Sequence, residues 1–402
     1  MVPVWHDLTR KARESGELVL LGVIQEQHAE RCRLYAQWKQ YDWTIVQDAT
    51  NRLDNSAVPI FIALDEAGTV VDAGLRPNEL QAFLDRPAVK FTVANAEVNP
   101  EKQIDALAEQ AAGSTDPKAW QDLAEQRLLW QGDSGLSQAI TDFRSGIEMA
   151  SKDAITAELN FGLGVALRKR FDSLLREPDD FQNAVHAWDK ALELNPNHYI
   201  YRRRIQQYGP RLMKPYPFYD WVEQANADIR ERGEEPIKLS VPPSGAEIAQ
   251  PSRAKLAGTK TESEPDPKGA FDRDSAVGGS LIASRTVVVP GKIKAGENVR
   301  VHLEWQPNKL AHWNNEAEPV TVWLGLPDQW DAERQLWTLP QPKKIESREA
   351  RRLEFELQSP KNAKSTVLKG YALYYVCEDV GGQCLYLRQD FSISVEVESS
   401  SR

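Results

Sequence analysis

The chain has 402 residues, a net charge of −10, 27% charged and 41% hydrophobic residues, which is enough to build real cores but more than one core usually organises, so two to three domains are expected. It contains no apolar run of about 18 residues, which excludes a membrane-spanning helix. No stretch gathers Lys and Arg into the basic face that a general nucleic-acid binder needs to displace counterions.

Residues 1–7 show no basic segment followed by an apolar one, so the chain as written carries no export signal and reads as cytoplasmic. Residues 4–13 then predict an amphipathic helix, with Val4, Trp5, Leu8 and Ala12 near helical spacing. Residues 17–24 are short, continuous and apolar, as in a buried strand. A second helix fits residues 29–39 and would bury Cys32, Tyr35 and Trp38. Short strands follow at 43–46, 58–64 and 69–71, the last two joined by Asp65-Glu66-Ala67-Gly68, a hairpin signal. Residues 78–84 close the unit as a helix. Strands alternating with helices imply an α/β layer.

That order, with Ala57-Val58-Pro59 before an apolar strand and Asp65-Glu66-Ala67-Gly68 after it, resembles the thioredoxin-like fold, in its redoxin and TlpA-like branch. The resemblance implies a cis Val58–Pro59 bond and a partner-binding role for the loop that holds Val58 and Pro59. It also implies that residues 1–86 are a partial thioredoxin-like domain. The chain opens inside the family's first long helix, so the family's first strand and its Trp-Cys-x-x-Cys motif have no counterpart in it. A sheet lacking that strand is expected to expose an unpaired edge. Cys32 does not replace the missing pair. It sits mid-helix, where most free cysteines are small buried hydrophobes.

Asp116-Pro117 predicts a helix start, with proline at the first helical position, and residues 100–235 read as all-helical. Leu163-Gly164, then Ala184, Trp188, Ala191 and Pro196, resemble a tetratricopeptide repeat; Trp120, Leu123, Ala124, Ala139, Phe143 and Gly146 form a weaker copy. The resemblance implies a helical domain able to receive a protein partner; a plain helical bundle is the alternative. Both copies carry insertions, at residues 171–180 in the second. The aromatic cluster at 216–221 fits either a binding spot or a capping core.

Residues 240–283 are rich in Pro, Gly, Ser and balanced charges and read as a flexible linker. Residues 284–398 contain six alternating runs and predict an all-β, immunoglobulin-like sandwich. Its many tryptophans read as packing rather than as a sugar-binding face. Residues 312–316 read as a polar loop, and a lone His312 there is a poor metal site. No metal-ligand spacing, phosphate loop or Ser-His-Asp arrangement appears, so neither metal nor cofactor is expected.

The segment 374–386 carries the most chemistry. A turn centred on Val380-Gly381-Gly382 would pair Glu378 with Gln383 and set Cys377 directly opposite Cys384. Cys377-Glu378-Asp379 and Gly382-Gln383-Cys384-Leu385-Tyr386 resemble the N-terminal domain of the DsbD-type thiol:disulfide interchange protein, with one extra residue between the cysteines and Leu385 before the tyrosine. The resemblance implies a redox pair of Cys377 and Cys384, modulation of their pKa by Asp379, a protein thiol or disulfide as partner, and a place in the bacterial cell envelope. The residues themselves leave two readings open: a thiol:disulfide oxidoreductase, or a non-enzymatic scaffold that keeps redox folds only as binding surfaces. In the second, Cys377 and Cys384 form a static tie.

Overall fold

The computed structural model describes residues 2–55, 58–91, 99–212, 218–248, 281–379 and 384–398. Ala57, residues 216–217, the centre of the linker and the hairpin turn at 380–383 lie outside them. The chain mixes helices and sheets and divides into two compact units. One comprises Met1–Leu175, Lys190–Arg203 and Tyr219–Pro242; the other comprises Arg176–Asp189, Arg204–Phe218 and Pro243–Arg402. No helix among the described residues is long and apolar enough to cross a membrane.

The first unit opens with α1 (Val2–Glu14), which buries Trp5, Thr9 and Ala12 on one stripe. There follow β1 (Leu21–Ile24), α2 (Ala29–Trp38), β2 (Thr44–Gln47), β3 (Ala63–Leu64), β4 (Val70–Asp72) and, after a 3₁₀ turn at Pro77–Glu79, α3 (Leu80–Leu84). Helices and strands alternate here, and among the described residues the strands pair two by two. β1 and β2 make one parallel pair, β3 and β4 a separate antiparallel pair. Strand structure covers only the last two residues of the expected 58–64 run and the last four of 17–24. From Ile60 onward the alternation is nonetheless kept: Phe61 and Ala63 turn inward, where Phe61 stacks on Trp5 at 4.4 Å, while Ile60, Ile62 and Leu64 are exposed. A run whose edge finds no partner strand keeps its side-chain period without its ladder.

Seven helices follow: α4 (Pro100–Ala112), α5 (Pro117–Trp130), α6 (Leu136–Met149), α7 (Asp153–Asp172), α8 (Asp180–Leu194), α9 (Tyr199–Tyr208) and α10 (Val222–Glu231). Asp116 caps α5 by accepting from Lys118 N–H, with Pro117 at the first position. α6 and α7 cross closely at Gly162, where an added Cβ would lie 2.5 Å from the Phe143 ring. The fully buried Phe143 fills that gap. Leu34 of α2 packs on Ala225 and Ile229 of α10, and the Trp38 and Trp221 rings stack at 5.9 Å. Trp221, the described end of the 216–221 aromatic cluster, therefore serves a core. Cys32 is half-buried, and its thiol is pushed up to about 12 by burial first and by Glu26 second, which removes it as a nucleophile at neutral pH.

The second unit carries β5 (Ile282–Val289), β6 (Lys292–Ile293), β7 (Asn298–Pro307), β8 (Ala311–Asn314), β9 (Thr321–Gly325), β10 (Asp331–Ala332), β11 (Leu336–Thr338), β12 (Glu346–Ser347), β13 (Arg351–Gln358), β14 (Thr366–Glu378) and β15 (Cys384–Val397). One sheet runs β10-β13-β7-β5. The other runs β11-β9-β14-β15-β6, with β8 joined to β14 and β12 to β8. Both sheets feed one core, with Leu303, Trp305 and Phe355 from the first and Val322, Tyr374 and Leu387 from the second. The opposite face of the first sheet holds a charge network. Arg300 reaches Glu354 at 3.4 Å and Glu356 at 3.2 Å, and Ser244 donates to Glu354 at 2.7 Å. Burial works against ionisation of Glu354, but His302, Arg300 and Ser244 outweigh it and hold the carboxyl well below its ordinary range.

Asp189, within the same unit, is the opposite case. Burial raises its carboxyl to about 6, opposed only by the Gly291 N–H that it accepts at 2.7 Å. The folded chain then holds a proton that the unfolded chain releases near pH 4, so stability falls as pH rises from about 4 to about 6. Asp189→Asn keeps the acceptor oxygen and removes the charge. It is expected to flatten that decline and to add about 1–3 kcal/mol at pH 7, measured by urea unfolding across pH.

Candidate functional site

β14 and β15 are paired along their length, and the register places Cys377 opposite Cys384, Tyr375 opposite Tyr386 and Leu373 opposite Arg388. Alternation decides which face these occupy. Val376, Tyr374, Leu385 and Leu387 point into the core, so Cys377, Tyr375, Cys384 and Tyr386 point outward. The two cysteines form a disulfide, with their Cα atoms 3.9 Å apart. The backbone explains the close approach. Asp379 N–H donates to Leu310 O at 2.9 Å, so alternate residues of β14 here, Cys377 among them, direct their backbone groups towards β8. Across β15, Cys377 and Cys384 are then a pair without mutual backbone bonds, the closer of the two antiparallel kinds. The pair is asymmetric: Cys377 is 6% exposed, whereas Cys384 is exposed. On the next rung the Tyr375 and Tyr386 rings stack at 4.5 Å.

β8 flanks Cys377 on its other side, and there His312 stands directly opposite it. His312 Nδ1 lies 2.7 Å from Asp379 Oδ1. The other oxygen of Asp379 accepts from Arg348, whose Nε also donates to Ala311 O at 3.1 Å. The hydrogen bond from His312 first, and that from Arg348 next, lower the Asp379 carboxyl below the usual carboxylate range. Beside them opens a cleft of about 340 Å³ lined by His312, Asp379, Arg348, Lys344, Glu346, Ser347 and Glu349. Glu346 Oε1 is 3.6 Å from His312 Nε2.

Of the residues singled out in the sequence, Cys377, Cys384 and Asp379 are brought together. Val58 and Pro59 belong to the other unit; their peptide bond is cis and both are exposed. The sequence marks His312 only as a poor metal site and does not single out Arg348. The expected polar loop at 312–316 is in part strand, because Ala311 and Trp313 are buried and His312 and Asn314 face out. That four-residue alternation is the signal that marks His312; nothing comparable marks Arg348. Among the described residues no cluster of His, Cys, Asp and Glu has the make-up of a metal site.

No family model and no curated protein matches the chain. Among solved structures it is similar to AvmM, described as catalysing macrocyclization in alchivemycin A biosynthesis, at 15% identity over 30% of this chain and 92% of that one, with a TM-score of 0.17. It is also similar to the sporulation control protein Spo0M of Bacillus subtilis, at 13% identity over 29% of this chain and 50% of that one, TM-score 0.17. A third is BslA, a bacterial hydrophobin, at 10% identity over 29% of this chain and 97% of that one, TM-score 0.16. Likeness at this level carries no argument about fold or function.

Proposed function

We propose that this chain is a modular thiol–disulfide exchange protein whose reacting group is the Cys377–Cys384 pair. In this reading the two-sheet unit is an immunoglobulin-like sandwich of the DsbD N-terminal kind. The N-terminal unit is a partial thioredoxin-like domain with Val58 and Pro59 on its partner loop. The helices at 100–235 are tetratricopeptide-like and receive a protein partner. The substrate is a protein dithiol or disulfide, and the site of action is the cell envelope. One observation carries the reading: a cross-strand disulfide on the outward face of a sheet, with one sulfur-bearing residue exposed and the other covered. Such an arrangement presents one sulfur to an incoming thiolate and keeps the second as leaving group. A second reading, a non-enzymatic scaffold, draws on the exposed apolar row of Val58, Ile60, Ile62 and Leu64.

A redox titration separates them. The full chain is equilibrated in dithiothreitol buffers of graded potential, quenched in acid, unfolded and alkylated. The oxidised form takes one label, on Cys32, and the reduced form takes three. Exchange predicts a midpoint above about −300 mV, and a static tie predicts one below it.

A further inference from the structure

We propose that His312 is the proton donor and acceptor for the Cys377 sulfur, with Asp379 as the residue that positions it. This rests on the exchange reading above and adds to it the group that handles the proton. Three observations carry it. His312 and Cys377 share a rung of the β8–β14 ladder and therefore a face of the sheet. Asp379, two residues beyond Cys377, accepts from His312 Nδ1 at 2.7 Å and so orients the ring, while Nε2 lies 3.6 Å from Glu346 Oε1. Cys377 is the covered member of the pair and hence the leaving group when a partner attacks exposed Cys384. The charged groups around the imidazole are Asp379 and Glu346, which face it, and Arg348, Lys344 and Glu349, which line the same cleft.

The step balances as follows. A thiolate of a partner dithiol attacks the Cys384 sulfur and forms a mixed disulfide. The Cys377–Cys384 bond breaks, and its electron pair leaves on the Cys377 sulfur, which takes the proton of the His312 imidazolium. The partner's second thiolate then attacks its own sulfur in the mixed disulfide and releases Cys384 as a thiolate, which is protonated from water. The partner dithiol is oxidised to a disulfide and the protein's disulfide is reduced. In the reverse direction neutral His312 accepts the Cys377 proton as that sulfur attacks.

The test is the rate of reduction of the full-length oxidised chain by dithiothreitol between pH 5 and 9, read by acid quench and alkylation, for the wild type, His312→Gln and Asp379→Asn. His312→Gln is expected to slow reduction about tenfold or more near pH 6 and, after correction for thiolate concentration, to remove the pH dependence. Asp379→Asn keeps the dependence but moves its midpoint. Thermal melting of each variant reports whether the fold survives, and where His312→Gln unfolds, the shifted midpoint of Asp379→Asn carries the test. A wild type that exchanges, with both variants within twofold of it and sharing its profile, overturns the role of His312 and leaves the exchange reading standing. A wild-type disulfide that dithiothreitol does not open in the folded chain sinks both.

Discussion

Cys377→Ser is expected to turn the protein into a trap for partner disulfides, whereas Cys384→Ser is not. Removing Cys377 leaves the exposed Cys384 free to form a mixed disulfide with no internal thiol to resolve it. Removing Cys384 leaves Cys377, which is 6% exposed and walled by β8 on one side and β15 on the other. Attack rates follow thiolate fraction and access, and access differs sharply here. With excess oxidised glutathione at pH 7.5, Cys377→Ser should gain its single glutathione adduct about tenfold faster than Cys384→Ser. Cys32, with its thiol pushed up to about 12, stays unmodified in both folded variants. Intact mass against time reads the result. Equal rates, or faster modification of Cys384→Ser, would remove the order of attack on which the proposed mechanism depends.

The parts of the site that sequence alone displayed are those set by neighbours along the chain. The Cys377–Cys384 rung follows from alternation on two strands joined by one short turn, so a local pattern is enough to find it. The capped start of α5 at Asp116-Pro117 is likewise a local signal. His312 was hidden because its relation to Cys377 is made by β8 pairing with β14, some 65 residues later in the chain; no spacing rule reaches so far. Arg348 was hidden for the same reason, since it reaches Asp379 only because β12 is laid against β8. The N-terminal strands are a different case. The apolar run at residues 58–64 marks a strand in the sequence, yet a strand needs a partner as well as a pattern. Among the described residues only Ala63 and Leu64 find one.

Trp313→Ala is expected to cost about 3–5 kcal/mol, the range for deleting a large aromatic from a packed core. The ring is fully buried, stands edge-on to Tyr374 at 5.4 Å and donates from Nε1 to Glu349 O at 2.9 Å. Its backbone lies in the ladder between Val376 and Ser347. Deletion therefore removes packing, a hydrogen bond and the anchor that fixes β8, all at once. Urea unfolding followed by far-UV signal gives the cost, and Trp313→Phe separates its parts by keeping most of the packing and losing only the hydrogen bond, about 1–2 kcal/mol. The functional consequence is the sharper one. His312 is the neighbouring residue on β8, and the strand's pairing, together with the hydrogen bond to Asp379, holds it opposite Cys377. Where Trp313→Ala remains folded, its disulfide should be reduced as slowly as that of His312→Gln, although the imidazole is intact. A loss below about 1 kcal/mol would show that β8 is held by other contacts, and a reduction rate equal to wild type would show that the imidazole keeps its place without the tryptophan beneath it.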